Sequence, residues 1–349
     1  MTPADLSLTV LHAVRRAVDD GALRVDVPES LKIERPRPGG RGDYASNVAL
    51  VLARGAQRAP RDVAAILRDR LDRSPGIAAV DITGPGFLNF TLRREAQQDL
   101  VREILRLGPR YGWREPTGES VRIGHRADIR AAVTADAVRR ILLSQGIAVR
   151  TGGPAPEFSP LPVPHTSRDL LHRLGVDAAR WGLLSAAAHD QARLGSELLR
   201  QDEGNPLFRV RYAYSRTRAL VRNAEQLGFR SETSETRETK SETKGETSEA
   251  GEHVGAPALT HVNAPALTHL LGDHPVVLAS AARHRAPDRV ARHLEAIADA
   301  LLDFQHTVLP RGDEKPSAAH RSRLALAEAA GVVLAGGLSL LGISAPDQI

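Results

Sequence analysis

The sequence contains no cysteine, few aromatic residues and almost no lysine. Aromatic side chains make up 3% of its 349 residues, and only four of the 47 basic residues are lysine, which leaves 43 arginines. The absence of cysteine excludes disulfide bonds, thiol nucleophiles, iron–sulfur clusters and cysteine-ligated zinc. No metal site is predicted, because the repeated His261 and His269 have no carboxylates beside them to complete a ligand set.

Long hydrophobic runs are also absent. No uninterrupted apolar run approaches the roughly 20 residues of a membrane helix, and the first ten residues lack a basic head followed by an apolar stretch. We therefore expect no membrane partner and a cytoplasmic location. The net charge is +5. We interpret most of the arginine excess as codon bias, but guanidinium groups suit phosphate, so the favoured anionic partner is nucleic acid.

The first hundred residues alternate between helical and extended patterns. A capping sequence at Thr2–Asp5 begins a helix, and a Gly-Pro-Gly turn at residues 84–86 separates two extended segments. This pattern predicts an α+β domain over residues 1–108, with a small antiparallel sheet and helices. The predicted elements are helices at Ala45–Arg54, Pro60–Leu71 and Arg94–Leu107, and paired strands at Ile77–Ile82 and Phe87–Leu92.

The rest of the sequence is mainly helical. Residues 109–150 predict one strand, at Ser120–Ile123, and one helix, at Thr134–Ser144. Proline and glycine crowd residues 151–166, which we interpret as a linker. Helical periodicity dominates residues 167–349 and predicts an all-α bundle, with a break at Gly204–Pro206 and two long helices over Pro287–Leu341. We expect the bundle to contain a disordered insert at residues 230–275, because the repeat at residues 231–249 has no apolar side chains.

Five segments carry a resemblance to one known family. Gly42–Ala49 and Gly84–Phe90 resemble the paired signatures of the N-terminal additional domain of arginyl-tRNA synthetases. Gly175–Arg180 and Asn205–Arg216 are similar to the DALR-type anticodon-binding bundle of the same family. Residues 338–346 resemble the last helix and tail of that bundle. The resemblance covers two domains in the family's order and implies an anticodon-binding function for residues 167–349.

The resemblance also implies that most of a catalytic domain is missing. Arg130–Ala137 resembles the helix that follows the two histidines of a class I synthetase, where the helix start stabilises ATP phosphates. Matched without gaps, this motif becomes His125–Asp128, with aspartate in place of the final histidine. The alternative match, Arg122–His125, loses the first histidine. Either match leaves a degenerate remnant of a Rossmann-type domain, marked by His125 and Asp128, with no catalytic residue.

The binding residues are likewise implied by the resemblance. In the additional domain, Phe87 would stack on an unpaired base of the tRNA elbow and Asn89 would hydrogen-bond a base edge on the same strand face. Because successive side chains of a strand point to opposite faces, Phe90 should point away from Phe87 and into the core. In the bundle, one helix combines phosphate-binding and stacking side chains suited to an anticodon loop. These are Arg209, Arg211, Tyr212, Tyr214 and Arg216.

The sequence therefore predicts a noncatalytic tRNA-binding protein that contacts the tRNA elbow and the anticodon loop. Its expected partners are tRNA, with arginine tRNA suggested by the family, and a separate synthetase or tRNA-using enzyme. One alternative is an accessory or complementing subunit in ATP-dependent arginyl-tRNA aminoacylation. A second alternative is a protein-interaction scaffold. No cofactor is expected unless ligase chemistry persists, in which case the cofactor is ATP.

Overall fold

The structure is a computed structural model that describes residues 2–36, 41–150, 160–232 and 264–349. Residues 233–263, which form most of the predicted disordered insert, lie outside the described residues, as do residues 151–159 of the predicted linker. The chain divides into two compact units, Met1–Leu100 and Val101–Ile349.

Unit 1 is built around a small antiparallel sheet, as the sequence predicts. The sheet has four strands in the order β1-β2-β4-β3, and every neighbouring pair is antiparallel. The elements in chain order are α1 (Pro3–Asp19), β1 (Ile33–Glu34), β2 (Tyr44–Ser46), α2 (Val48–Ala56), α3 (Pro60–Leu71), β3 (Ile77–Thr83), β4 (Phe87–Leu92) and α4 (Arg94–Leu107), the last of which crosses the boundary between the units.

The start of α1 has the capping box that the sequence predicts. The Thr2 hydroxyl accepts a hydrogen bond from the Asp5 amide, and the Asp5 carboxylate accepts one from the Thr2 amide. These two bonds satisfy amides that would otherwise have no partner at a helix start. The apolar face of α1 then packs into a core shared with α2, α3 and the sheet, which includes the buried Leu6, Leu67 and Phe90.

Two glycines allow close backbone approaches next to β4. Gly86, in the β3–β4 turn, has φ 139°, and a Cβ placed there would lie 2.8 Å from the carbonyl oxygen of Pro60. Gly42, before β2, has φ 85°, and its Cβ would lie 2.7 Å from the carbonyl oxygen of Phe90. Any side chain at either position would force the backbone apart. The β3–β4 turn therefore rests against the first residue of α3.

Unit 2 contains two parallel strands and six helices among its described residues. The elements are β5 (Ser120–Arg122), α5 (Ile129–Ser144), β6 (Ala148–Arg150), α6 (Ser167–Leu184), α7 (Pro206–Gln226), α8 (Pro265–His284), α9 (Asp288–Phe304) and α10 (Ala318–Leu341). β5 and β6 pair in parallel, and α5 connects them. The strand β6 is absent from the sequence-based prediction, because three residues are too few to show an alternating pattern.

Two boundaries predicted for the bundle are wrong. The predicted disordered insert ends at residue 275, whereas α8 begins at Pro265 and buries Leu267 and Leu271. The apolar positions of this helix repeat at helical spacing, which the polar repeat before it obscures. Between α6 and α7, residues 185–205 form irregular backbone with one short 3₁₀ turn, where the sequence predicts helix up to Gly204.

Helix α10 is long and strongly apolar. By length and composition it could cross a membrane, although polar residues such as Glu328 and Ser339 interrupt its apolar sequence. However, 78% of its most apolar window is buried inside the structure. A Cβ on Gly337 of α10 would lie 2.5 Å from Leu294 of α9, so the two helices pack closely at this point. These observations are typical of a central helix in a bundle.

Candidate nucleic-acid interface

Phe87 begins strand β4 at the β3–β4 turn and is 40% exposed. Its cross-strand partner is Thr83, the last residue of β3. Phe90, three residues later, is fully buried, as the sequence predicts. Phe87 therefore offers apolar surface to solvent at the turn end of an inner strand, and base stacking requires such an exposed ring.

Asn89 does not have the exposure that direct base recognition requires. It lies on the same strand face as Phe87 but is 4% exposed, and its Nδ2 donates a hydrogen bond of 2.7 Å to the Thr83 hydroxyl. The reason is its position in the middle of the sheet, between Ala45 on β2 and Asp81 on β3. The prediction that Asn89 is open to RNA is therefore wrong, and its amide instead holds the end of β3 beside Phe87.

Helix α7 carries all five residues predicted to bind the anticodon. Asn205 caps its start, because its side-chain oxygen accepts hydrogen bonds from the Leu207 and Phe208 amides. One stripe of the helix is buried in the bundle, and the predicted residues fall into two groups on either side of that stripe. The buried positions are Leu207, Val210, Ala213, Thr217, Leu220 and Ala224.

The first group, which we name the α9 edge, consists of Arg209, Tyr212 and Arg216 at helical spacing. The Arg209 Nε pairs with Asp299 of α9 at 3.0 Å, and the Arg216 Nε donates a 2.7 Å hydrogen bond to Gln305. Tyr212 is 39% exposed and stacks on Phe208, with ring centres 5.7 Å apart. The α9 edge thus presents an exposed aromatic ring between two guanidinium groups that neighbouring side chains hold in place.

The second group, which we name the tail edge, consists of Arg211, Tyr214 and Arg218, again at helical spacing. Arg218 belongs to the same run of basic and aromatic side chains that the sequence predicts on this helix. Here the segment after α10, residues 342–349, lies against α7. The Tyr214 hydroxyl donates a 2.9 Å hydrogen bond to the Asp347 carboxylate, and the Arg218 Nε lies 3.3 Å from the same oxygen. The negatively charged Asp347 carboxylate therefore already contacts Tyr214 and Arg218 on this side of α7.

The base of the tail is fixed by a second set of contacts. Arg211 donates a 3.3 Å hydrogen bond to the Ser344 hydroxyl and lies 3.7 Å from the Asp177 carboxylate. Ser344 in turn donates hydrogen bonds to Asp177 through its amide and its hydroxyl. The Nε of Arg211 is buried and has no hydrogen-bond partner among the described residues. Asp177 belongs to the Gly175–Arg180 motif, so this motif holds the tail in position.

The environment of Tyr214 perturbs its ionisation. Burial raises the pKa of the Tyr214 hydroxyl, and the hydrogen bond to the Asp347 carboxylate raises it further. Arg218 lowers the same pKa by a smaller effect. Tyr214 therefore remains a neutral hydrogen-bond donor at neutral pH.

The degenerate His motif lies at the start of α5. The Asp128 carboxylate caps this helix by accepting a 2.9 Å hydrogen bond from the Ala131 amide. His125 is exposed, and its Nδ1 lies 2.8 Å from the carbonyl oxygen of Arg126. The amides at this helix start, which could bind an anion, already face a carboxylate from the chain itself.

Sequence reasoning missed a buried arginine in this region. Arg130, in the first turn of α5, is 1% exposed and donates hydrogen bonds to five carbonyl oxygens. Burial lowers the pKa of its guanidinium. The sequence alone does not distinguish this arginine from the 42 others, because its five partners lie 31 to 60 residues away. Arg130 thus connects α5 to α6 and to the segments before and after it, so we assign this arginine a structural role. Its partners are the carbonyls of Leu161, Leu183, Ala186, Ala187 and Asp190.

A charge network connects α5 to the rest of the bundle. Burial raises the pKa of the Asp136 carboxyl, but hydrogen bonds from Arg180 and Arg139 outweigh this effect and lower the pKa overall. The Arg180 contact is 2.6 Å long, and the Arg180 Nε also donates to the carbonyl of Leu341 at the end of α10. Within the described ranges, no three histidine or acidic side chains are grouped so that they could hold a metal ion.

The two units thus define a class of protein in which a small α+β domain precedes a mainly helical domain. Two family models match the chain in this order. The model described as the arginyl tRNA synthetase N terminal domain matches residues 8–92, and that of the DALR anticodon binding domain matches residues 210–349.

Comparisons with individual proteins agree with these matches. The arginine–tRNA ligase of Frankia alni is 27% identical in an alignment of 570 positions that covers both chains completely. That of Micrococcus luteus is 42% identical over 169 residues, which cover 43% of this chain and 30% of the relative. The arginyl-tRNA synthetase structure of Thermus thermophilus matches the fold with a TM-score of 0.69 at 14% identity and complete coverage of both chains. The chain belongs to the arginyl-tRNA synthetase family.

Proposed function

We propose that this chain binds tRNA and does not activate an amino acid. It would hold the tRNA elbow through unit 1 and the anticodon loop through α7, and the family suggests arginine tRNA as its ligand. The proposal rests on the two RNA-recognition domains and on the region between them. Within that region, the observation that carries the proposal is the Asp128 carboxylate at the start of α5.

Asp128 opposes the binding of a nucleotide triphosphate. A helix start binds phosphate through free amide groups and the positive end of the helix dipole. In this chain the Ala131 amide already donates to the Asp128 carboxylate, at 2.9 Å. A triphosphate at the same place would have to displace that carboxylate and then remain close to its negative charge. His125, exposed and beside the Arg126 carbonyl, is the one imidazole left to stabilise it.

The region between the two matched domains is also too short for a domain that activates an amino acid with ATP. The alignment with the Frankia alni ligase has 570 positions, which exceeds the 349 residues of this chain by 221. At least that many positions of the alignment therefore have no residue from this chain. Only sixteen residues, 151–166, separate the end of β6 from the start of α6. Two strands and one helix are too few for a nucleotide-binding sheet. We interpret these three elements as a remnant of a Rossmann-type domain.

The RNA contacts are assigned to the exposed side chains. Phe87 would stack on an unpaired base of the elbow, and Tyr212 would stack on a base of the anticodon loop between Arg209 and Arg216. The tail edge would join this surface when RNA displaces Asp347 from Tyr214. Asn89 would act as a positioning residue, because its amide fixes the strand end beside Phe87.

The first experiment measures ATP–pyrophosphate exchange dependent on arginine. The full chain, purified from a host whose own synthetase has been depleted, is expected to give no exchange above background, since ATP has no phosphate site. Exchange that copurifies with the chain would overturn the noncatalytic assignment.

The second experiment measures RNA binding by filter retention. The chain should retain folded tRNA in preference to an RNA duplex of equal length, and its affinity should fall as salt rises, because arginine contacts release counterions. Equal retention of tRNA and duplex would contradict recognition of tRNA shape. In a parallel assay, a separate arginyl-tRNA synthetase is given limiting tRNA with and without the chain. An increased arginylation rate would replace the proposal with an accessory role in that reaction.

A further inference from the structure

A basic cavity lies between the end of α1 and the end of α3, within unit 1. Its volume is about 540 Å³. Five of the eight residues around it can carry positive charge, and none is acidic. The lining consists of Thr9, His12, Arg15 and Arg16 from α1, with Arg70, Arg73, Ser74 and Pro75 from the end of α3 and the turn into β3.

Two of the arginines are held in place by the backbone. One Arg16 guanidinium nitrogen donates a 3.3 Å hydrogen bond to the Arg70 carbonyl, and Arg70 donates one of 3.1 Å to the Ile66 carbonyl. Arg70 also pairs with Asp20 at 3.1 Å. The Arg70 Nε is buried and has no hydrogen-bond partner in the described part of the chain. Arg16 and Arg70 therefore have fixed positions at the wall of the cavity.

The positive charge exceeds what the helix ends require. Cations are favourable near the last carbonyls of a helix, and both α1 and α3 end here. Arg16 and Arg70 already serve those carbonyls and Asp20. Arg15 and Arg73 make no ion pair with any acidic residue in the described ranges, and both side chains are exposed. The cavity therefore has two uncompensated guanidinium groups facing a space large enough for an anion.

The cavity is separate from the predicted elbow contact. The turn that carries Phe87 rests against Pro60, the first residue of α3. Arg70 is ten residues further along the same helix, which corresponds to about 15 Å at 1.5 Å per residue. A single base stacked on Phe87 would not reach the cavity. An RNA backbone that runs along α3 would bring its phosphate groups to both places.

We propose that this cavity binds backbone phosphate of RNA, as a second RNA contact of unit 1 beyond the Phe87 turn. This inference rests on the proposed tRNA binding and extends it to a defined site. Guanidinium groups bind phosphate oxygens through paired N–H donors, and each phosphate contact releases counterions from the RNA. Arg15 and Arg73 supply the charge, and the fixed Arg16 and Arg70 supply oriented donors.

The first test removes the uncompensated charges. Arg15→Gln/Arg73→Gln in the full chain should weaken tRNA binding and reduce the slope of log affinity against log salt by about 1 to 2, since each phosphate contact contributes about 0.7 to 0.9. The matched control, Arg54→Gln/Arg68→Gln, removes two arginines of unit 1 outside the cavity and should leave the slope closer to wild type. Circular dichroism melting checks that both double variants are folded.

The second test locates the RNA directly. Because the chain has no cysteine, Thr9→Cys introduces a single thiol into the cavity without changing its charge. With tRNA at ten times its dissociation constant, about a tenth of the chain is free, so maleimide alkylation of this thiol should slow by about tenfold. Val51→Cys, on α2 and 60% exposed, is the control and should react at an unchanged rate.

The outcomes separate the cavity from the proposed function. If the wild-type chain binds no tRNA, the proposed function is overturned, and so is the assignment of the cavity to RNA phosphate. If tRNA binds but Thr9→Cys reacts at the same rate as without RNA, and Arg15→Gln/Arg73→Gln matches its control, only the cavity assignment is overturned. Protection of Thr9→Cys by inorganic phosphate but not by tRNA would assign the cavity to a free anion and overturn the RNA occupant.

Discussion

The hydroxyl of Tyr214 donates a 2.9 Å hydrogen bond to the carboxylate of Asp347, so the segment after α10 lies against one side of the helix predicted to bind the anticodon. The Arg218 Nε lies 3.3 Å from the same carboxylate oxygen. Asp347 thus presents to Tyr214 and Arg218 the kind of anionic oxygen that an RNA phosphate would present. RNA that uses the tail edge has to replace this internal contact.

Asp347→Asn is expected to strengthen binding of an anticodon stem-loop. The substitution removes the charge that pairs with Arg218, and exposed pairs of this kind contribute about 0.2–1 kcal/mol, which corresponds to a gain of roughly 1.4- to 5-fold. Fluorescence anisotropy of a labelled stem-loop measures the change. Asp313→Asn, at an exposed position outside α7, controls for the general loss of negative charge. Weaker binding by Asp347→Asn would mean that the tail positions Tyr214 for RNA.

Phe87→Ala is expected to weaken binding of intact tRNA while leaving the isolated anticodon stem-loop unaffected. A lost base stack costs roughly 1–3 kcal/mol. Folding should change little, because the ring is 40% exposed. Asn89→Ala is the matched comparison, since removal of its buried hydrogen bond to Thr83 should lower the free energy of unfolding of unit 1 by roughly 1–3 kcal/mol. Melting curves measure the folding of both variants, and filter binding measures their affinity for tRNA and for the stem-loop. If Phe87→Ala is folded and binds tRNA as tightly as wild type, the assignment of Phe87 to the tRNA elbow is incorrect.

Tyr212→Ala is expected to weaken binding of the anticodon stem-loop by roughly 1–3 kcal/mol, because the exposed ring would lose its stack with a base. Tyr212→Phe keeps the ring and should bind within about twofold of wild type if stacking dominates. The two variants are compared by anisotropy after their melting temperatures have been measured. If Tyr212→Phe loses as much affinity as Tyr212→Ala, the hydroxyl and not the ring makes the contact.

The stability of unit 2 is expected to fall as the pH drops below about 6.5, where an unperturbed histidine titrates. His274 is completely buried, its ring stacks 5.4 Å from that of His293, and burial followed by the charge of His293 keeps its pKa well below the ordinary value. The unfolded chain therefore binds a proton that the folded chain does not, and acid favours unfolding. Above pH 6.5 this group contributes no pH dependence.

Urea unfolding at several pH values between 5 and 8 measures this effect. His274→Leu should show a shallower loss of stability between pH 6.5 and 5 than wild type. His284→Gln is the control, since it removes an exposed histidine from the same helix, α8, and should keep the wild-type slope. Equal slopes for His274→Leu and wild type would assign the acid sensitivity to other groups.

Local patterns in the sequence were sufficient to predict much of unit 1. The capping residues Thr2 and Asp5 define the start of α1, and the helix at Pro60–Leu71 and the strand at Phe87–Leu92 have the predicted bounds. These elements depend on interactions between residues close in sequence, and alternation within β4 is enough to place Phe90 in the core. The predictions fail where distant residues decide, as for Asn89, which is buried by its cross-strand neighbours.

The arrangement of α7 could not be read from spacing alone. The sequence places Arg209 to Arg218 on one helix, but which positions face the bundle depends on α9, α10 and the segment after α10. The partners of the site residues lie far away in sequence, as Asp299 does from Arg209 and Asp347 from Tyr214. The helical period can group residues into faces, but it cannot identify what each face contacts.

The short path from β6 to α6 has a consequence for protein engineering. β6 ends at Arg150 and α6 begins at Ser167, while α5 is joined to the bundle independently through Arg130 and through the contact of Asp136 with Arg180. A foreign domain inserted between Arg150 and Pro160 would interrupt none of these contacts, because Leu161, the Arg130 partner before α6, lies beyond that range. The chain could thus serve as a scaffold that carries a grafted domain within unit 2.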